Sequence, residues 1–154
     1  MRKYLESLGY ALQAVVLEGK RGIRSVFKGI PVQMCQFHQW SIVRRKLTLY
    51  PKLPAHWELL HIGMEIPRLS EGELAHKLTT FEKKWHEFMN EKTYIIGCRR
   101  WYYTHKKLRS ALYSLKCNLK HLYTYQQYPE LGIPNTTNSL DGTFGVLKDL
   151  LRVH

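Results

Sequence analysis

The first part of the chain alternates between apolar runs and short amphipathic stretches. Residues 11–17, ALQAVVL, are almost all apolar and partly β-branched, which is typical of a strand covered on both faces. Residues 30–35, IPVQMC, predict a second strand, and residues 19–29 predict a short helix between the two. A strand, a helix and a strand in this order form a βαβ unit, so we expect two parallel strands that are neighbours in a sheet.

After the second strand, apolar positions recur every three or four residues, which predicts helices. Helices are expected over 37–50, near 55–66 and over 70–90, with prolines between the first two and after the second. The last of them begins at Ser70, and Glu73 stands three positions later. This spacing is the signature of a capping box, in which each side chain accepts a hydrogen bond from the backbone N–H of the other residue.

A long basic helix is predicted over about 98–127. Its leucines recur at spacings of four and three, which places them on one helix face. They are Leu108, Leu112, Leu115, Leu119 and Leu122. The opposite face is basic and carries Lys106, Arg109, Lys116 and Lys120. A final helix is predicted from Asn138 to the last residue, so the pattern as a whole indicates the α/β class.

The formal net charge of +12 is concentrated in one part of the chain. Residues 61–90 carry four basic and five acidic side chains, whereas residues 91–128 carry eight basic side chains and one acid. Such an excess suits a polyanionic partner, and Arg99 and Arg100 stand beside Trp101, which can stack on exposed bases. We therefore predict that DNA binds to these two arginines and to the four basic side chains of the helix. A solvated basic face would give the same pattern.

Two bulk features bear on the compartment. The chain contains no apolar run of 18 residues and no charged leader followed by an apolar stretch, so neither a membrane span nor a signal peptide is predicted. The three cysteines are odd in number and widely spaced, which favours a reducing compartment over a disulfide framework. We expect a cytoplasmic location and no membrane partner.

Two acidic residues stand where chemistry can occur. Glu18 follows the first predicted strand, and the carboxyl ends of parallel strands are where α/β sheets bind their ligands. Asp141 lies in the first turn of the last predicted helix, behind Asn138 as the N-cap. Each has a structural alternative, since Glu18 can be an exposed loop acid and Asp141 can be a helix-capping carboxylate.

Taken together, three stretches resemble the bacterial insertion-sequence transposases related to the Mutator-like elements. They are the strand ending in Glu18 and Gly19, the run PVQMCQFHQWSIVRRKL, and the run NTTNSLDGTFGVLK near the end. The resemblance covers residues 11–48 and 133–154. It implies an RNase H-like core in which three carboxylates bind two divalent cations, Mg²⁺ or Mn²⁺. The implied activity is phosphodiester cleavage followed by strand transfer into target DNA.

On this resemblance, residues 1–50 are part of the catalytic core, 51–130 an all-helical insertion with a basic face, and 131–154 the last core helix, truncated. Glu18 matches the second acid of the family and Asp141 the third, although the family usually has Asp at the former and Glu at the latter. The first acid should lie upstream of this chain. The resemblance thus implies a fragment cut off at both ends and inactive alone, with a core completed by another chain or by self-association.

Cys35 and His38 form a C-x2-H pair directly after the second strand, which the family also shows. As a zinc site the pair is half a set, because structural zinc takes four ligands. We expect these two residues and Asn138 to support the active site. The alternative for the whole chain is a non-catalytic basic helical protein that binds DNA.

Overall fold

The computed structural model describes residues 2–19 and 22–137. The structure is mixed α/β, mostly helical, with a few short strands. The chain divides into two compact units. The first unit contains the residues up to His38 and from His121 onward, and the second contains Gln39–Lys120.

The first unit is built on the predicted βαβ motif. Strand β1 (Val15–Leu17) pairs in parallel with β2 (Val32–Met34), and helix α2 (Ile23–Val26) lies between them in sequence. The backbone N–H of Cys35 donates to the carbonyl of Leu17 over 2.9 Å and extends the pairing by one bond. The parallel pair is therefore confirmed. Helix α1 (Arg2–Ser7) precedes β1.

The two strands differ in burial. All three residues of β2 are buried, whereas all three residues of β1 are only half-buried. The prediction of a first strand covered on both faces is thus wrong for the described residues. Its apolar composition resembles that of a central strand, but the described sheet has two strands, with β2 as the neighbour of β1.

Two buried glutamines, one on β2 and one shortly after it, bond the segment that begins at residue 121. The amide nitrogens of Gln33 and Gln36 both donate to the carbonyl of Leu122 over 3.0 Å, and the Gln33 side-chain oxygen accepts from the Tyr125 backbone N–H. Leu122 is the last residue of helix α7 (Lys106–Leu122). Terminal helix carbonyls have no partner within their own helix, so these amides satisfy a group that burial would otherwise penalise. Helix α8 (Thr124–Gln127) follows, and the Thr124 hydroxyl donates to the carbonyl of Val32.

The second unit contains most of the helices. They include most of α3 (Gln36–Leu47) and of α7, together with α4 (Pro54–Glu65), α5 (Glu71–Lys84) and α6 (His86–Asn90). Helices α3 and α4 approach closely at Gly63, where an added Cβ atom would lie 3.4 Å from Cγ1 of Val43. The side chain of Gln39 on α3 bonds Asn118 and Ser114 on α7.

Helix α5 begins with the predicted capping box. The Ser70 hydroxyl accepts from the Glu73 backbone N–H, and the Glu73 carboxylate accepts from the Ser70 N–H over 2.7 Å. The helix ends at Lys84, earlier than predicted, because Trp85 adopts a non-helical backbone while its indole N–H donates to Glu58. The short α6 then completes the predicted stretch to residue 90.

The prediction of a helix from residue 98 is wrong at its start. Strands β3 (Lys92–Tyr94) and β4 (Trp101–Tyr103) form an antiparallel hairpin, so this part of the chain is not all-helical. The strand residues are mainly aromatic and Thr, which favour extended backbone, and Gly97 in the turn has φ of 83°. Helix α7 follows with Leu108, Leu112, Leu115 and Leu122 buried, as the leucine spacing predicts. No helix within the described ranges is long and apolar enough to span a bilayer.

Candidate active site at the end of the parallel strands

Glu18 stands at the carboxyl end of the parallel pair. It follows the last residue of β1 directly, and its side chain is 61% exposed. One carboxylate oxygen lies 3.6 Å from Nε2 of His38, which is an ion pair when the imidazole is protonated. The strand thus places a solvent-accessible carboxylate beside His38 of α3 (Gln36–Leu47).

Cys35 and His38 are held together by the start of α3. Cys35 follows β2, the helix begins at Gln36, and one helical turn brings the two side chains to the same side. Nδ1 of His38 lies 3.1 Å from Sγ of Cys35. The imidazole therefore contacts the thiol through one ring nitrogen and Glu18 through the other.

Residues 135–137 run along the same site. The backbone N–H of Gln36 donates to the carbonyl of Asn135 over 2.9 Å, and the Asn135 amide donates to the Gln36 side chain. The Thr137 hydroxyl lies 3.4 Å from Nδ1 of His38 and donates to Sγ of Cys35 over 3.5 Å. We call the side chains of Glu18, Cys35, His38 and Thr137 the strand-end cluster.

Sequence reasoning named three members of the strand-end cluster and missed Thr137. The signal was present, because Thr137 belongs to the NTTN run on which the family resemblance rests. The sequence around Thr137 does not indicate, however, that its hydroxyl contacts His38, which lies 99 positions earlier in the chain.

The thiol in this cluster is enclosed. Burial raises the pKa of Cys35, but the hydrogen bonds from Thr137 and His38 outweigh it, so the pKa lies below its ordinary value. Cys35 has no exposed surface, however, and a nucleophile must meet its substrate. The accessible end of the cluster is the Glu18 carboxylate rather than the thiol.

Whether the strand-end cluster could bind Mg²⁺ depends on how many oxygen ligands it offers. Within residues 2–19 and 22–137, no group of three or more His, Cys, Asp or Glu side chains is arranged to hold a metal ion. The Glu18 carboxylate suits Mg²⁺, but His38 and Cys35 offer nitrogen and sulfur, which are poor magnesium ligands. A magnesium site on Glu18 therefore requires further oxygen ligands. The predicted one, Asp141, and its predicted cap Asn138 lie outside the described residues.

Of the six residues predicted to bind DNA, four lie on α7 as the helix prediction has them, and two lie before it in the hairpin. Arg99 and Arg100 lie in the turn of the hairpin, and both are exposed. Lys106 at the start of α7 and Lys120 near its end are exposed as well.

The other two predicted DNA contacts have protein partners. Arg109 donates to the carbonyl of Met89 and to the Asn90 side chain, and its guanidinium carbon lies 3.7 Å from the centre of the Tyr103 ring. Lys116 pairs with Glu82 over 2.7 Å. Both sets of partners lie within the second unit, so Arg109 and Lys116 are engaged by protein groups, whereas Lys106 and Lys120 are the more open cations of α7.

No protein-family model, no curated protein and no solved structure matches this chain.

Proposed function

We propose that the chain is part of a DNA transposase with an RNase H-like catalytic core, in which Glu18 is one of the metal-binding acids. The observation that carries this proposal is the position of Glu18 at the carboxyl end of a parallel strand pair, accessible to solvent and oriented by His38. Ligands of α/β sheets bind at this end of the strands.

The contact between Thr137 and His38 gives a second support. Thr137 precedes Asp141 by four residues, which span at most about 14 Å when fully extended. The His38 ring contacts Thr137 through Nδ1 and Glu18 through Nε2, so one imidazole ring separates the start of the chain leading to Asp141 from the Glu18 carboxylate. An approach of these two acids, which the proposal needs, is compatible with the length of the connecting chain.

The two acids would hold Mg²⁺ or Mn²⁺. When bound, such an ion stabilises charge on the attacking and leaving oxygens of a phosphodiester displacement. The role of this chain is to hold the Glu18 carboxylate in one orientation. The carboxylate contacts Nε2 of His38, and Nδ1 of the same imidazole contacts Cys35 and Thr137. Such hydrogen-bond partners orient a metal ligand and increase the affinity of the site for the metal.

A second candidate function is DNA binding without metal chemistry. It is favoured by the hairpin and the start of α7, where residues 92–107 carry five lysines and arginines and no carboxylate. In this case Glu18 is a loop acid paired with His38, and the chain recognises DNA through its basic surface alone.

Manganese titration of the whole chain separates the two functions. The proposal predicts Mn²⁺ binding that Glu18→Gln and Asp141→Asn each weaken at least about tenfold, the lower end of what losing even an outer metal partner costs. Glu87→Gln is the matched control, because Glu87 is an exposed acid on α6, in the other unit. The catalytic proposal is contradicted if all three variants bind Mn²⁺ with equal affinity, or if the original chain binds no Mn²⁺. DNA binding without metal chemistry is then the remaining candidate function.

A further inference from the structure

The hairpin displays aromatic rings on one of its faces. The register pairs Lys92 with Tyr103 and Tyr94 with Trp101, and side chains of directly paired residues project from the same face. Tyr94 is 67% exposed and Trp101 is 43% exposed, although aromatic rings of this size are usually buried. One face thus carries three aromatic rings, and two of them are open to solvent.

Cations accompany these rings. The ammonium of Lys92 lies 4.2 Å from the centre of the Trp101 ring, and the Arg109 guanidinium lies over Tyr103. On the opposite face, Lys106 lies 5.4 Å from the centre of the Tyr102 ring. Positive charge is therefore interleaved with flat apolar surface.

The hairpin is held in one conformation at both ends. At its base, the Thr104 N–H donates to the carbonyl of Glu91, and the hydroxyls of Thr93 and Thr104 lie 2.9 Å apart. At the turn, the Ile95 N–H donates to the carbonyl of Arg100. A surface that is already ordered loses little conformational freedom when a ligand binds.

The chemistry of this face selects among polymeric ligands. The absence of carboxylates over residues 92–107 indicates a negatively charged partner. Aromatic rings add affinity when they can stack on flat groups, and nucleic acid bases present such faces when they are unpaired. In a duplex the faces of the bases are covered by neighbouring base pairs. The exposed rings of the hairpin could therefore stack on few of them and would add little affinity for a duplex.

We propose that the Lys92–Tyr94–Trp101 face of the hairpin binds unpaired nucleotides, with bases stacked on Trp101 and Tyr94 and phosphates beside Lys92, Arg99 and Arg100. The inference rests on the DNA-binding part of the proposed function and is independent of its metal chemistry. Its ligand is a single strand, or the unpaired part of a nicked or branched DNA, rather than a continuous duplex.

Fluorescence anisotropy with the whole chain tests this assignment. The probes are a labelled single strand of about 20 nucleotides, longer than the segment that one small binding module usually occupies, and the blunt duplex of the same sequence. The original chain is expected to bind the single strand more tightly at equal salt. Trp101→Ala should weaken single-strand binding between about fivefold and about a hundredfold, the range that one stacked base supplies.

Two variants serve as controls. Trp101→Phe keeps an aromatic ring and should retain most of the affinity. Tyr50→Ala removes a tyrosine that is 78% exposed in the same unit but far from the hairpin in sequence, and it should have no effect. Unfolding curves of all three variants show whether a loss of binding follows from a loss of fold.

Three outcomes overturn the inference. One is equal affinity of Trp101→Ala and Tyr50→Ala for the single strand, and another is duplex affinity that equals single-strand affinity. The third is a dimer that Trp101→Ala dissociates, which would make the face an interface between two copies. A chain that binds single strands through Trp101 but binds no Mn²⁺ keeps this inference and loses the catalytic proposal, so the two failures can be told apart.

Discussion

His56 on α4 is a histidine in an unfavourable place for positive charge. Its Nε2 atom is buried and has no hydrogen-bond partner within the described residues. Burial lowers its pKa, and the nearby charges of His105 and Lys107 lower it further. The neutral imidazole is thus the form that the folded second unit accommodates.

This environment predicts a loss of stability in mild acid. As the pH falls below about 6.5, the unfolded chain takes up the proton before the folded chain does, so the free energy of unfolding decreases. His56→Gln cannot be protonated and should lose less stability between about pH 7 and about pH 5. Urea unfolding at the two pH values measures the difference. His76→Gln, at an exposed site on α5, is the control, and an acid response unchanged by His56→Gln contradicts the prediction.

Among single residues, the sequence predicts local partners better than distant ones. Cys35 and His38 are three positions apart at the start of a helix, and this spacing alone brings their side chains together. Glu18 could be placed at a strand end because the apolar run before it has a clear limit. Thr137 could not be placed in this way, since its approach depends on how the last described segment packs against the start of α3.

At the level of elements, the capping box of α5 offers a direct test of a confirmed prediction. The Ser70 hydroxyl satisfies one of the N–H groups that a helix start leaves without a partner. Ser70→Ala should therefore lower the free energy of unfolding by about 1 kcal/mol, whereas Ser70→Asp should retain most of the stability. Chemical denaturation of the three proteins measures this. A cost of Ser70→Ala indistinguishable from that of Ser70→Asp would show that the cap contributes little.

The hairpin shows why one element was assigned wrongly. The leucine spacing predicts α7 correctly. The predicted helix also included the residues before α7, although several of them are aromatic. Residues 93–96 and 101–103 favour extended backbone, and Gly97 supplies the positive φ that the turn contains. These residues do indicate strands in the sequence. An isolated two-stranded hairpin is only marginally stable, however, and the contacts of Arg109 that pack against this one cannot be predicted from the sequence.

For the whole molecule, the placement of charge matters more than its total. The net charge of +12 attracts polyanions in general, whereas the hairpin concentrates cations beside exposed rings. Two double variants remove the same charge from different places. Arg99→Gln with Arg100→Gln changes the hairpin turn, and Lys52→Gln with Lys83→Gln changes exposed sites elsewhere in the second unit.

The salt dependence of binding distinguishes local from general attraction. Plotted as log affinity against log salt for a single strand, the slope should become shallower by about 0.7 for each phosphate that the protein no longer neutralises, and so by about 1.4 in the arginine double variant. The lysine double variant should keep the original slope. Equal changes in both variants would mean that DNA responds to the net charge rather than to the hairpin.

The coarse architecture followed from the sequence because its main parts are local. A βαβ motif, a capped helix and a leucine-lined helix each lie within a few tens of residues, and their periodicities are clear. The contacts that join distant segments of the first unit were harder to foresee, because they are made by buried polar side chains such as Gln33 and Gln36, which bond the carbonyl of Leu122. Amides of this kind look like surface residues in a sequence, and their burial becomes visible only with the fold.

The three thiols differ sharply in access, and this has a practical consequence. Cys35 is sealed inside the strand-end cluster, whereas Cys98 in the hairpin turn and Cys117 on α7 are exposed. A maleimide dye added to the folded chain should therefore label the hairpin turn, once Cys117 is replaced by serine, and leave Cys35 untouched. Air oxidation would by the same logic join molecules through these two outer sulfurs, so samples kept for binding assays need a reductant.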